Sequence, residues 1–201
     1  MEELKKELKF SAVIVSCLSA RIFSFTQILA DILNSTDGSL HGPPRQPGDP
    51  QKVAFITTNP DLVFATNYYK PRIGPRGAEI MIKACIESLY GWKLETEQYG
   101  KPYTFNFDYA EEYLRKLAAR RAIRVSNFYM IGDNPESDIK GAIDKGWVSI
   151  LVSTGVFDAE KHQNDSKYPA SHVVKDFRAA IELIYKLEGL DTSAIASIEA
   201  K

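Results

Sequence analysis

The sequence predicts an α/β chain built on parallel strands, and three observations carry that reading. Short β-branched, apolar runs alternate with amphipathic helical stretches, most regularly in the second half. The runs at residues 128–131 and 148–152 are predominantly apolar rather than strictly alternating, as in strands covered on both faces. The first of them stops at Gly132-Asp133-Asn134-Pro135, so an aspartate stands at the carboxyl end of a strand, where open α/β sheets take their ligands.

Taken in order, residues 1–9 read as a short solvated helix or arm, and residues 10–17 as a β-branched strand. Residues 22–33 place Ile22, Phe25, Ile28, Leu29 and Ile32 at helical spacing. Residues 34–50, rich in Ser, Gly and Pro, form a long surface loop. Residues 53–57 are a second strand, followed by the turn Asn59-Pro60-Asp61 and a structured loop at 68–77. Residues 78–90 are a helix with Ile80, Met81, Ala84 and Ile86 as its apolar positions and Gly91 as its stop. After the tight turn Gly100-Lys101-Pro102 comes the longest helical pattern, 104–121, with a stripe of Phe107, Ala110, Leu114, Leu117 and Ala118. Strand 128–131, helix 136–145, strand 148–152, a polar loop and a last helix at 177–187 complete the pattern. No strong signal follows Asp191, and no internal repeat is visible.

The composition is that of an ordinary globular chain, with 201 residues, 44% hydrophobic and 25% charged. A formal net charge of −1 gives no global field favouring nucleic acid or an anionic membrane. No apolar run is long enough to span a bilayer as a helix, and the acidic residues Glu2, Glu3 and Glu7 do not fit a signal or transit sequence. The two cysteines, Cys17 and Cys85, carry neither metal-ligand spacing nor a disulfide framework, which fits a reducing compartment. Cys17 reads as a strand-end core thiol. His41, His162 and His172 read as exposed or loop histidines, and Tyr68, Tyr69, Trp92 and Trp147 as packing residues.

The chemistry concentrates in three segments. Asp133 ends a strand, and Asp138 follows five residues later in the first helical turn, able to reach the same cavity. Hard carboxylate oxygens there suit Mg²⁺, which takes one or two carboxylates and keeps its waters. The bland reading is an acidic helix start that complements the dipole. Lys101, on a loop entering a helix, can bridge anions, or can be an ordinary surface lysine. Ser153-Thr154-Gly155 ends the next strand and is weak alone.

In this order the three segments resemble the C-terminal core of the haloacid-dehalogenase-like hydrolase superfamily. The stretches Asn59-Pro60-Asp61, 71–78, Gly100-Lys101-Pro102 and Gly132-Asp133-Asn134 are similar to its large α/β-cap group. Tyr109-Ala110-Glu111, the helix at 28–33 and the Gly-Asp-Asn-Pro-x-Ser-Asp-Ile form look like its cat-eye-syndrome-region hydrolase branch. The likeness covers most of residues 10–157 and is closest over 98–156. It implies a partial Rossmann-like parallel-sheet core lacking its first strands, plus an α/β cap. The cap region would occupy 1–97, the C-terminal half of the core 98–190, and a tail 191–201.

The resemblance also implies a Mg²⁺-dependent phosphatase-type activity through an aspartyl phosphate. Lys101 would stabilise the phosphoryl intermediate, Asp133 would ligate Mg²⁺ and Asp138 would support the metal site. Asn59, Asp61 and Arg72 would contact substrate from a cap loop, or hold that loop together. The family nucleophile belongs to an Asp-x-Asp motif, and this sequence contains none. Ser35-Thr36-Asp37-Gly38 mimics that motif but follows a helical stretch and reads as loop; Phe55-Ile56-Thr57-Thr58-Asn59 mimics the phosphate-binding strand, but the following Pro60-Asp61 suits the cap passage better.

The expectation is therefore a hydrolase form missing its nucleophile segment and inactive alone. The alternative is a non-catalytic short form acting as a metal- or phosphate-binding or protein-interaction module. A complete enzyme would take a small phosphorylated molecule, with no nucleic acid and no membrane span. An exposed sheet edge would favour homo-oligomers. The location expected is intracellular, mitochondrial or cytoplasmic.

Overall fold

The computed structural model describes residues 8–17, 21–191 and 193–196. Most of the expected N-terminal arm and most of the tail lie outside the described residues. The chain divides into two compact units. Unit one holds the described residues up to Phe64 together with Arg72–Gly100; unit two holds Ala65–Pro71 and the described residues from Lys101 onward.

Unit one is built on a parallel sheet in the order β1-β2-β5, from β1 (Ala12–Val15), β2 (Ala54–Thr57) and β5 (Glu97–Gln98). Two helices pack together beside it, α1 (Ile22–Leu33) and α2 (Pro75–Tyr90). Val13, Leu33, Phe55, Ile82, Ile86 and Leu94 are among the residues that form the core. The buried stripes overlap the expected ones only in part. In α1 the buried residues are Thr26, Ala30, Ile32 and Leu33, with Ile22 and Leu29 packed against the core as expected, while Phe25 and Ile28 are exposed. In α2 they are Ala78, Ile82 and Ile86, while Ile80 and Met81 are exposed. Helical spacing fixes that a stripe exists, but where two stripes overlap it does not say which one meets the core. Helix α2 also starts three residues earlier than the pattern suggests, because Pro75 suits a first helical turn. Gly91 ends α2 in the left-handed region at φ 75°, as expected.

A two-residue antiparallel pair, β3 (Val63–Phe64) with β4 (Arg72–Ile73), lies where only a structured loop was expected. Strand β5 is polar and two residues long, too short to show a period.

Unit two carries a second parallel sheet, β6-β7-β8, from β6 (Tyr129–Gly132), β7 (Val148–Val152) and β8 (His172–Val174). Both faces are covered, as expected. Ile139, Leu151, Phe157 and Ala170 pack on one face. Ile150, Val152 and Ala180 pack on the other, where α5 (Phe177–Leu187) adds Leu183 and Ile184. Asp176 caps α5 by accepting the Ala179 N–H at 2.8 Å.

The helix expected at 136–145 is two pieces, a π-type turn at Pro135–Ile139 and α4 (Lys140–Lys145). Helix α3 (Thr104–Arg120) follows its predicted span, but Phe107 is its one buried residue and Leu114 is exposed. Strand β8 lies inside the expected polar loop, and a short α6 (Ser193–Ala196) follows.

Candidate functional site

Gly132 ends β6 and Asp133 follows it, so β6 delivers the carboxylate to the sheet's carboxyl end as the sequence predicts. Asn134 then caps the π-type turn, its side chain accepting the Glu136 N–H at 3.1 Å. Its backbone carbonyl accepts the N–H of Asp138 at 2.8 Å and of Ile139 at 3.5 Å. The wide turn brings the Asp138 side chain back onto the strand end. Such π-turns inside helices concentrate at functional sites.

The two carboxylates are pressed against glycines. A Cβ on Gly132 would lie 2.3 Å from the Asp138 carboxyl group, and one on Gly155 would lie 1.9 Å from Asp133 Oδ2. Only a residue without a side chain allows either approach. Asp133 Oδ2 accepts the Val156 N–H at 2.7 Å, and its carbonyl accepts the Phe157 N–H at 3.0 Å. The Ser153-Thr154-Gly155 segment, weak as a motif, therefore orients Asp133.

Asp138 is buried, and its Oδ1 accepts a charge-assisted hydrogen bond from the Lys101 ammonium. Its Oδ2 accepts the Asn134 N–H at 3.1 Å. Lys101 itself keeps 43% of its side chain exposed, so the ammonium can meet a further anion. The structure thus brings Lys101 and Asp138 into contact and sets Asp133 five residues away across the same turn.

Asp133 Oδ1 carries no recorded hydrogen bond from the described residues, whereas both Asp138 oxygens are engaged within the protein. Among the described residues no group of three or more His, Cys, Asp or Glu side chains could hold a metal. The donor set fits a hard cation that keeps most of its waters, as Mg²⁺ does, and not an all-protein cage. Ser137, inside the turn, was not singled out from the sequence; it is buried and its hydroxyl has no hydrogen-bond partner among the described residues.

The remaining candidates belong to unit one. Asn59 accepts the Asp61 N–H at 2.9 Å and so fixes its own turn. The Asp61 carbonyl accepts the Arg76 N–H at 3.3 Å, and Gly74 packs on that carbonyl. Arg72 is exposed on β4. The structure gives Asn59 and the Asp61 backbone a loop-holding role.

Sequence reading missed a buried polar group in this unit. The Thr57 hydroxyl donates to Gln98 Oε1 at 2.6 Å, with Glu79 Oε2 at 3.5 Å. Its signal was available: Glu79 lies on the Ala78–Ile82 side of α2.

Other expectations need correction. Cys17 is exposed, not a core thiol, because β1 ends two residues before it. Tyr68 and Tyr69 are exposed, touching each other at 4.5 Å between ring centroids. His172 is half-buried in β8, while His41 and His162 are exposed. Trp147 does pack, stacked on Phe128 and edge-on to Phe107. Trp92 stacks on Tyr90 under the Arg45 guanidinium. The Ser35 segment is loop, with the buried Ser35 hydroxyl donating to the Ile32 carbonyl and accepting the Gly38 N–H.

A family profile described as HAD-hydrolase-like matches residues 98–180. A cardiolipin synthase (CMP-forming)/mitochondrial hydrolase fusion protein of Schizosaccharomyces pombe is 34% identical over 151 residues, 73% of this chain and 24% of that protein. A mitochondrial hydrolase of Saccharomyces cerevisiae is 28% identical over 170 residues, 75% of this chain and 48% of that protein. The chain therefore spans less than half the length of either curated relative. A crystal structure of a hypothetical protein from Pyrococcus horikoshii shares the fold at a TM-score of 0.54 and 19% identity, covering 91% of this chain and 57% of that one.

Proposed function

We propose, from the premise that this chain belongs through its residues 98–180 to the haloacid-dehalogenase-like hydrolase family, that it supplies the metal-and-lysine part of a phosphoryl-transfer site and does not itself hydrolyse phosphate esters. The observation that carries this reading is the Lys101 ammonium on the buried Asp138, beside a strand tip whose Asp133 has one oxygen open. In such a site Asp133 would hold Mg²⁺, with Asp138 as its support through Lys101 and the Asn134 N–H. When bound, the ion would offset the negative charge of a phosphoryl group. Lys101 would hold a second anionic oxygen with its exposed donors, and the walls made by Gly132 and Gly155 keep both carboxylates in place.

Charge stabilisation alone leaves no covalent route. A phosphoryl group moving onto the protein needs a positioned nucleophile, and the sequence contains no Asp-x-Asp. For the chain as it stands, the reading is thus a site that binds Mg²⁺ and phosphate without turnover. The complete protein would act on a small phosphorylated molecule. The names of the two curated relatives support a mitochondrial place of action.

The test uses Mn²⁺ as a spectroscopic stand-in and p-nitrophenyl phosphate as a generic ester. Electron paramagnetic resonance should show Mn²⁺ binding that weakens at least about tenfold in Asp133→Asn, and hydrolysis should stay at background. Mn²⁺ binding indifferent to Asp133→Asn would overturn the metal assignment. Hydrolysis that disappears in Asp133→Ala would overturn the inactivity.

A further inference from the structure

We infer that the end of α3 and the turn after it, Arg120 to Arg124, form a docking site for an anionic phospholipid surface. The inference uses residues of unit two alone and goes beyond the phosphoryl-transfer reading.

The sequence concentrates charge there. Residues 113–132 hold five basic residues, Arg115, Lys116, Arg120, Arg121 and Arg124, and no Asp or Glu. The net charge of −1 gives the chain no global field, so attraction to an anionic surface is local. Arg115 and Lys116 are committed to ion pairs with Glu111 and Glu112, one turn back on α3. Arg120, Arg121 and Arg124 are exposed, and among the described residues their guanidinium groups take no ion pair or hydrogen bond.

A backbone turn holds the three arginines close together. Arg121 caps α3, its N–H donating to the Ala118 and Ala119 carbonyls. Ala122 follows at φ 54°, in the left-handed region, and its N–H donates to the Ala119 carbonyl at 3.1 Å. The Ile123 N–H donates to the Ala118 carbonyl at 2.9 Å. This is the Schellman arrangement, in which the second residue past the cap is commonly apolar and turned back onto the helix. Ile123 holds that position and is 57% exposed. The turn thus presents a β-branched aliphatic side chain among three arginines.

The needs of the fold do not account for this cluster. Complementing the helix dipole explains a cation in the last turn, at Arg120, but not Arg124, which lies beyond the turn. Arg120 also stands four residues from Lys116, a like-charge spacing that costs helix stability, and an external anion relieves that repulsion. The mix of groups selects the anion. Arginines beside an exposed aliphatic residue suit a bilayer interface, where guanidinium groups meet lipid phosphates and the aliphatic group enters the acyl boundary. Single-stranded nucleic acid is held by basic groups interleaved with aromatic ones on which bases stack, and residues 114–127 hold no aromatic residue. The contact is peripheral: among the described residues no helix is long and apolar enough to cross a membrane.

The experiment mixes the full chain, without metal or substrate, with phosphatidylcholine vesicles that hold about 30% phosphatidylglycerol, and measures binding by co-sedimentation. Binding should fall steeply between about 0.05 M and about 0.5 M salt and be absent from vesicles of phosphatidylcholine alone. The variant Arg120→Gln/Arg121→Gln/Arg124→Gln should weaken it at least about thirtyfold, and Ile123→Ser about tenfold, each with the wild-type circular dichroism spectrum. Lys161→Gln/Lys167→Gln, which removes two exposed cations elsewhere in unit two, should leave it within about twofold. No binding to the anionic vesicles overturns the inference, as does equal binding by the arginine variant or to the neutral vesicles. Equal binding by Ile123→Ser overturns it in favour of a soluble polyanion such as RNA. A loss in the lysine variant as large as that in the arginine variant overturns the location. No step of this measurement needs metal or turnover, so its outcome is independent of the Mg²⁺ reading.

Discussion

In unit one, Val13 is 8% exposed and its neighbour Ile14 is 63% exposed; in unit two, the neighbours Ile150 and Leu151 are both at 0%. Each unit has a three-stranded parallel sheet with helices, yet one is covered on a single face at this strand and the other on both. Their carboxyl ends differ in the same sense. Unit one ends its strands in a neutral hydrogen-bonded pair, Thr57 with Gln98, beside Glu79. Unit two ends β6 in two carboxylates held by glycines, one of them buried against a lysine. The doubly covered sheet gives low-dielectric walls to a charged site, so charges there are worth more and their loss costs more.

The largest effect expected from that contrast is on the lysines. Lys101→Met should destabilise the chain by about 3 kcal/mol in urea unfolding, since Asp138 would be left buried with one backbone donor. Its half-exposed position holds the value at the low end of the range for broken buried pairs. Lys83→Met, which removes the i,i+4 partner of Glu79 on α2, should cost only about 0.3–0.5 kcal/mol. Equal losses in the two variants would mean that the site of unit two is no more enclosed than that of unit one.

A smaller effect sharpens the packing half of the comparison. Ile150→Val should cost about 1 kcal/mol, because a buried methylene leaves a void between two covered faces. Ile14→Val should stay within about 0.5 kcal/mol, because Ile14 faces solvent. An Ile14→Val loss as large as that of Ile150→Val would show that something covers β1 in solution.

Strands β6 and β7 and helices α3 and α5 of unit two were legible in the sequence because several signals agreed. Residues 148–152 are apolar on both faces, and Gly132-Asp133-Asn134-Pro135 carries a strand end, a cap and a helix start within four residues. The relation of Lys101 to Asp138 followed only from resemblance, since no local pattern ties residues thirty-odd positions apart. What the sequence hid has physical causes. Strand β5, Glu97–Gln98, is held by backbone pairing with β2 and by side-chain bonds from Gln98 to the Thr57 and Tyr99 carbonyls, and its two polar residues show no period. Phe25 and Ile28 of α1 were placed on the core face yet are exposed, because apolar residues on the surface carry no mark that separates them from core. Ser137 gave no signal because its burial comes from the π-turn, a backbone feature that Pro135–Ile139 does not announce.

The smallest expected effect concerns the charge that each sheet edge carries away from its site. The Tyr129 hydroxyl of β6 donates to the Glu188 carboxylate just past α5, and Asn127 donates to the same oxygen at 2.7 Å. The hydrogen bond to Glu188, then burial, push Tyr129 up to about 12, while the bonds from Tyr129 and Asn127 lower Glu188. The two signs bracket a pH window. Tyr129, raised above its ordinary value near 10, contributes stability below that value and loses it as pH rises through about 12. Glu188, lowered, contributes above the ordinary glutamate value and loses it as pH falls through its depressed one. The pair should therefore add a constant increment across neutral pH that disappears at both ends. Spectrophotometric titration should show a tyrosine phase at about pH 12, and Tyr129→Phe should remove that phase. The β1 edge of unit one carries no tyrosine, so a late phase that survives Tyr129→Phe would place the protected phenol elsewhere and remove this distinction between the two edges.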